Sequence, residues 1–99
     1  MPKLCRDFDL GATGHGCTAV VGVKATQSTV RANGKPVARR NDPTLPHTIN
    51  SGPICVGHMG MVNISSFTVR ANGIGVARVG DSYDFGAMIE GSNTVFAGG

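Results

Sequence analysis

The chain is 99 residues long with a formal net charge of +3, and it holds 15 Gly, four Phe, one Tyr and no Trp. A single domain of this size hides only about 60–65% of the surface its unfolded chain exposes, so its core is thin and a metal, a disulfide or a partner would help it persist. No apolar run approaches the roughly 18 residues that a membrane-crossing helix needs, which argues against an integral membrane protein.

Taken in chain order, residues 1–8 read as an irregular N-terminal segment, and the rest as one all-β domain within 1–99. No basic-then-apolar leader opens the sequence, and the three cysteines are an odd number. Both features argue against a secreted disulfide scaffold and for a reducing compartment. His15 follows in "TGHGC". Next comes "TVRANGKPVARRND" (29–42), which returns at 68–81 as "TVRANGIGVARVGD". Each copy holds an Asn-Gly pair, Asn33-Gly34 and Asn72-Gly73. Asn-Gly tolerates positive φ at both central positions of a type I′ turn, so each copy is predicted to be a β-hairpin. Alternation would turn Val30, Ala32, Val69 and Ala71 inward and Thr29, Arg31, Thr68 and Arg70 outward.

Between the copies lies "PTLPHTINSGPICVGH" (43–58), whose three prolines and two glycines predict a loop. The chain closes on "NTVFAGG" (93–99), a shortened echo of Thr-Val-Arg-Ala. The unequal spacing of the units argues against an open-ended solenoid, and three related strand units suggest a closed object of rough threefold character. Asp42 and Asp81 recur at matching positions, which points to turn-forming roles.

The chemistry-bearing residues gather between the repeats. His15, His47 and His58 all fall outside the expected hairpins, where loops from distant parts of a threefold object would meet. Cys55 and His58 form a C-x-x-H pair that one turn could aim at a single point. With His15 and His47 they would complete a three-His, one-Cys site suited to Zn²⁺, closed to any reactive water. Iron is compatible with the same ligand types. Cys17 is the competing thiolate and Cys5 a third.

Other functions find less support. Arg31, Arg39, Arg40, Arg70 and Arg78 lie on or beside the strands and would let a small basic β-module follow phosphates. The aromatic platforms that stack single-stranded bases are missing from that stripe. A thiolate nucleophile at Cys55 or Cys17 lacks an oxyanion loop and a paired acid, so no enzymatic activity is expected.

The order of "NGKPVAR", "NGIGVARVGD", "GHGC", "CVGH" and "GSNTVFAGG" resembles the PAAR-repeat proteins over about Asp9 to Gly99. The signature tetrapeptide stands here as Pro36-Val37-Ala38-Arg39 and Gly75-Val76-Ala77-Arg78. The resemblance implies a small conical, pseudo-threefold β-structure. Its base would dock on the blunt end of a trimeric β-helical spike, VgrG-like or the central spike of a phage tail, so that a monomer caps a trimer. Its narrow end would carry a metal on three His and one Cys.

Such proteins tip type VI secretion spikes, sometimes with effector cargo, or contractile phage tails, and touch a target membrane transiently. The implied location is a virion or a secretion apparatus, with no nucleic-acid partner; a toxin fused to the tip is not expected. Three departures are visible. The first "ARVGD" is Ala38-Arg39-Arg40-Asn41-Asp42, and His15-Gly16-Cys17 replaces His-Gly-Gly. Phe85-Gly86 stands where many relatives have Cys-Gly, which moves the thiolate role to Cys55. Val95, Phe96, Ile89 and Met88 are candidates for either the docking base or the core.

Overall fold

The computed structural model describes residues 1–99 and is all-β, with ten short strands and no helix. The strands are β1 (Leu10–Ala12), β2 (Val20–Gly22), β3 (Arg31–Ala32), β4 (Lys35–Pro36) and β5 (His47–Ser51). They continue with β6 (Ile54–His58), β7 (Arg70–Ala71), β8 (Ile74–Gly75), β9 (Ser82–Tyr83) and β10 (Gly86–Met88). One four-stranded sheet runs β2-β1-β10-β9, and three separate hairpins pair β3 with β4, β5 with β6 and β7 with β8.

The two Asn-Gly turns form as the sequence predicts. Asn33 and Gly34 have φ of 54° and 78°, Asn72 and Gly73 of 52° and 81°. Positive φ at both positions is the type I′ geometry, and it costs Asn and Gly less than other residues. Ala32 and Ala71 face inward and are buried, but Val30 and Val69 remain 38% and 37% exposed. The matched exposure shows that the two copies hold equivalent places, although these valines are not core.

Around the turns the chain repeats a structural unit three times. Leu4-Cys5-Arg6, Val37-Ala38-Arg39 and Val76-Ala77-Arg78 each lead to an aspartate three residues beyond the arginine. In each unit the arginine N–H donates to that carboxylate: Arg6 to Asp9 (2.7 Å), Arg39 to Asp42 (2.7 Å), Arg78 to Asp81 (2.8 Å). The aspartate N–H returns a bond to the arginine carbonyl in all three. Asp42 and Asp81 therefore do shape turns, and Asp9 is their third counterpart. Cys5, Ala38 and Ala77 then close a ring of backbone hydrogen bonds: Ala38 N–H to Cys5 O (3.0 Å), Ala77 N–H to Ala38 O (2.9 Å) and Cys5 N–H to Ala77 O (2.9 Å). Three chain segments thus surround one local axis, each donating to the next.

Residues 1–8 lie outside every named strand, yet they are built into the fold. Leu4 and Cys5 are buried, and together with the closing Ser92–Ala97 stretch they complete the third unit from both ends of the chain. Ser92 accepts from the N–H groups of Thr94 and Val95, as Ser66 does from Thr68 and Val69 and Gln27 does from Thr29 and Val30. The signal was hidden because Cys5-Arg6-Asp7-Phe8-Asp9 shares only its arginine and last aspartate with the other copies.

Two small apolar clusters fill the interior. One gathers Leu4, Ala32, Val37, Ala71, Val76 and Ala97 under the Asn-Gly turns. The other gathers Cys5, Val23, Ala38, Val62, Ala77, Tyr83 and Met88. The ring residues Cys5, Ala38 and Ala77 belong to this second cluster. The longest dimension is 41 Å against 23 and 22 Å across.

The segment 43–58 is not the loop that its prolines suggested. It holds the longest hairpin, β5 and β6, paired from His47↔His58 to Ser51↔Ile54. Pro43 and Pro46 precede β5 and Pro53 sits in the turn, so none removes a ladder hydrogen bond from within a strand.

Candidate metal centre

Four side chains converge beyond the second cluster: His15, His47, His58 and Asp84. His47 opens β5 and His58 closes β6 as directly paired partners, so both side chains leave the same face of the hairpin. His15 comes from the loop after β1, and Asp84 from the two-residue turn between β9 and β10. Asp84 has φ of 55°, and its N–H donates to Met61 O at 2.9 Å. A Cβ on Gly60 would fall 2.5 Å from Asp84 Oδ1. Only glycine there lets the carboxylate lie so close to the chain leaving β6.

The donor atoms lie within 4.8 Å of one another. His15 Nε2 is 3.2 Å from His47 Nε2. Asp84 Oδ2 is 2.8 Å from His15 Nε2 and 3.0 Å from His47 Nε2, while its Oδ1 is 3.0 Å from His58 Nε2. Around an ion with bonds of about 2.0–2.1 Å, neighbouring tetrahedral ligands stand roughly 3.3 Å apart. The four close contacts, at 2.8 to 3.2 Å, fall just inside that edge, while the donor set as a whole spans up to 4.8 Å. Side-chain exposure is 7% for His15, 1% for His47, 21% for His58 and 2% for Asp84, so little water screens the group.

Hydrogen-bond chemistry gives an independent test of the fit. His15 Nδ1 lies 2.9 Å from the Gly16 carbonyl and His47 Nδ1 2.9 Å from the Leu45 carbonyl. A carbonyl only accepts, so each Nδ1 carries a hydrogen, and in the neutral ring each Nε2 is then a bare lone pair. Two lone pairs would face each other and the Asp84 oxygens, which is repulsive. Protonating one ring gives an Nε2–H that can reach Asp84 Oδ2 or the other Nε2 but leaves the remaining lone pairs crowded, and protonating both would set two cations 3.2 Å apart. A bound cation removes the conflict, and an Nδ1–H held by a backbone carbonyl is the usual outer shell of a metal-ligating histidine.

Without a cation the network relies on protons. Burial by itself would lower the pKa of His15, but the Gly16 carbonyl and the Asp84 carboxylate outweigh it and hold the pKa above its ordinary value. Burial would raise Asp84, yet the hydrogen bonds from His58, His15 and His47 hold its carboxyl below the usual carboxylate range. Phe85 stacks on His58 at 6.0 Å between ring centroids and meets His15 edge-on at 5.9 Å.

The structure thus brings together the three histidines singled out in the sequence, but not the expected thiolate. Cys55 is joined to Cys17 in a disulfide, with Cα atoms 6.0 Å apart. A strand explains why the C-x-x-H spacing misleads. Side chains alternate, so residues three apart point to opposite faces, and Cys55 turns away from the face that carries His58. The same disulfide removes Cys17, the competing thiolate, from the ligand set. Cys5 is the remaining thiol, buried in the second cluster, where it donates to Glu90 O at 3.3 Å and burial pushes its pKa well up.

Asp84 carries no ligand signal in the sequence, because it is one of six scattered carboxylates and lies far along the chain from all three histidines. The one available clue was its place, directly before the Phe85-Gly86 pair where a thiol ligand was sought. A scan against protein-family models and a search of curated proteins both find no match to this chain.

Proposed function

We propose that this protein is a PAAR-like spike tip, a metal-stabilised cap for the end of a trimeric β-helical spike that sharpens it for piercing a target envelope. The observation that carries the reading is the closed ring of Cys5, Ala38 and Ala77, in which one chain repeats a backbone turn three times around one axis. A monomer with that property can satisfy three identical chain ends at once. Around the turns, Val30 and Val69 are exposed at equivalent positions, and Phe67, Ile64 and Phe96 add exposed apolar area. Of the sequence candidates for docking, Phe96 and Ile89 are exposed, whereas Met88 is core.

At the other end, the metal would tie the loop after β1, the β5–β6 hairpin and the β9–β10 turn to one point. Axial load would otherwise splay these segments, since short strands with few large side chains give them little core of their own. Zn²⁺ suits three imidazoles and one carboxylate, and iron suits the same donors. No water need be activated there, so the metal's role is structural.

The phosphate-tracking alternative draws less support. Arg39 is buried and bonds to Ala71 O and Thr26 Oγ1, while Arg78 is paired with Asp81. That leaves Arg31, Arg40 and Arg70 as a sparse remainder of the basic stripe.

Co-expression with a trimeric β-helical spike from the same genome tests the reading. A stable complex with one copy of this chain per three spike chains is expected. Failure to associate with any such spike, or a three-to-three stoichiometry, would remove the cap.

A further inference from the structure

The loop that delivers His15 is fastened to the same hairpin that delivers His47 and His58. Gly16 N–H donates to Asn50 Oδ1 (3.1 Å), Thr18 N–H to Thr48 O (3.2 Å), Thr48 N–H to Thr18 Oγ1 (3.1 Å), and the two threonine hydroxyls bond at 2.9 Å. The covalent member of this set is Cys17–Cys55, two residues after His15 and three before His58. Asn50 and Cys55 are paired partners on β5 and β6 and alternate with the face that carries His47 and His58. One face of the hairpin therefore fastens the loop, and the other presents the two histidines that the loop's own histidine must meet.

From this shared hairpin we infer that the Cys17–Cys55 disulfide controls metal retention: oxidised, it holds His15 against the hairpin, and reduced, it releases the loop and weakens the site. The inference rests on the metal centre described above. Both cysteines are exposed, so a dithiol reductant can reach the bond. Its thiolate attacks one sulfur, forming a mixed disulfide and expelling the other cysteine as a thiolate that takes up a proton. The reductant's second thiol then displaces the remaining cysteine and closes the reductant's own disulfide. Two electrons and two protons pass to the protein, and the metal does not change oxidation state.

With the link cut, the loop keeps only its hydrogen bonds, and the effective concentration of His15 at the other ligands falls. Coupling is reciprocal, so a bound metal must make the disulfide harder to reduce by the same factor. A tenfold coupling corresponds to about 30 mV for this two-electron couple.

Competition for Zn²⁺ against a chromophoric chelator, on oxidised protein and on protein reduced with a phosphine, tests this. The reduced form is expected to bind at least tenfold more weakly, and a Cys17→Ser/Cys55→Ser double variant should match it without reductant. Equal or tighter binding by the reduced form would overturn the inference while leaving the metal centre standing. If the oxidised protein itself takes up no Zn²⁺, the metal centre and the inference fall together. Should the variant not fold, thiol release from the wild-type protein decides: slower release with Zn²⁺ bound supports the coupling, and equal release with and without Zn²⁺ refutes it.

Discussion

The two ends of this molecule are held together by different physics. Around the ring of Cys5, Ala38 and Ala77, stability comes from repetition: the same backbone bonds, the same arginine-to-aspartate turn and small apolar side chains, three times over. At the far end nothing repeats. A loop and a hairpin supply histidines and a turn supplies an aspartate, and these unlike segments converge on four polar side chains and one disulfide. A repeated layer can share one modest energy among three copies, whereas an end where the chain breaks its own pattern needs a few strong, specific links.

The contrast predicts that damage at either end should stay local. The largest effect is expected from Asp84→Ala or His47→Ala. Either change should lower metal content from one equivalent to nearly none. Melting should then approach that of the chelated wild type, since structural zinc sites in small peptides supply roughly 10–16 kcal/mol of apparent binding energy. Elemental analysis and thermal melting in parallel would measure this. A variant that keeps full stoichiometry would take its residue out of the site.

At the other end, Ala38→Leu should overfill a position that is fully buried and cost about 1–3 kcal/mol. Metal stoichiometry should be unchanged, and denaturant melts with and without chelator would show the loss in both. A smaller penalty is expected for Gly73→Val. Its φ of 81° is unfavourable for a branched residue, but a Cβ there meets nothing within 4 Å. Strain alone should cost about 1–2 kcal/mol, again without loss of metal.

The gentlest probe is pH, where the metal-free and metal-loaded forms should move in opposite directions. In the metal-free protein the raised pKa of His15 contributes stability that is fully present below its unfolded value near 6.5 and is lost as pH rises through the folded pKa. The lowered pKa of Asp84 contributes stability present above its unfolded value near 3.8 and lost as pH falls through the folded pKa. Metal binding instead requires deprotonated imidazoles, so affinity should rise with pH over the range in which the metal-free network weakens. Melting curves from pH 5 to 8 with and without Zn²⁺ should converge toward acid, since binding to the native state only adds stability. Parallel curves would mean that no histidine binds the ion.

Much of the repeated end is legible from residue order. Asn33-Gly34 and Asn72-Gly73 specify their turns because few other pairs tolerate that backbone, and the closing "NTVFAGG" announces a third unit. The N-terminal half of that unit was not legible, because burial and backbone pairing made Cys5 equivalent to Ala38 and Ala77 without any likeness of side chain. The β5–β6 hairpin was hidden by prolines that mark its ends rather than interrupt it.

At the end that carries the candidate metal centre, sequence alone determined the ligand types that were available, and it singled out His15, His47 and His58 as the histidines lying between repeats. It could not determine the fourth ligand. Whether Cys55 faces the histidines or turns away depends on strand alternation, and whether Asp84 reaches the cluster depends on a turn set beside Gly60 by contacts from elsewhere in the chain. Local residue preferences act over a few positions, whereas a coordination site is fixed by distances between segments that only the packed molecule brings together.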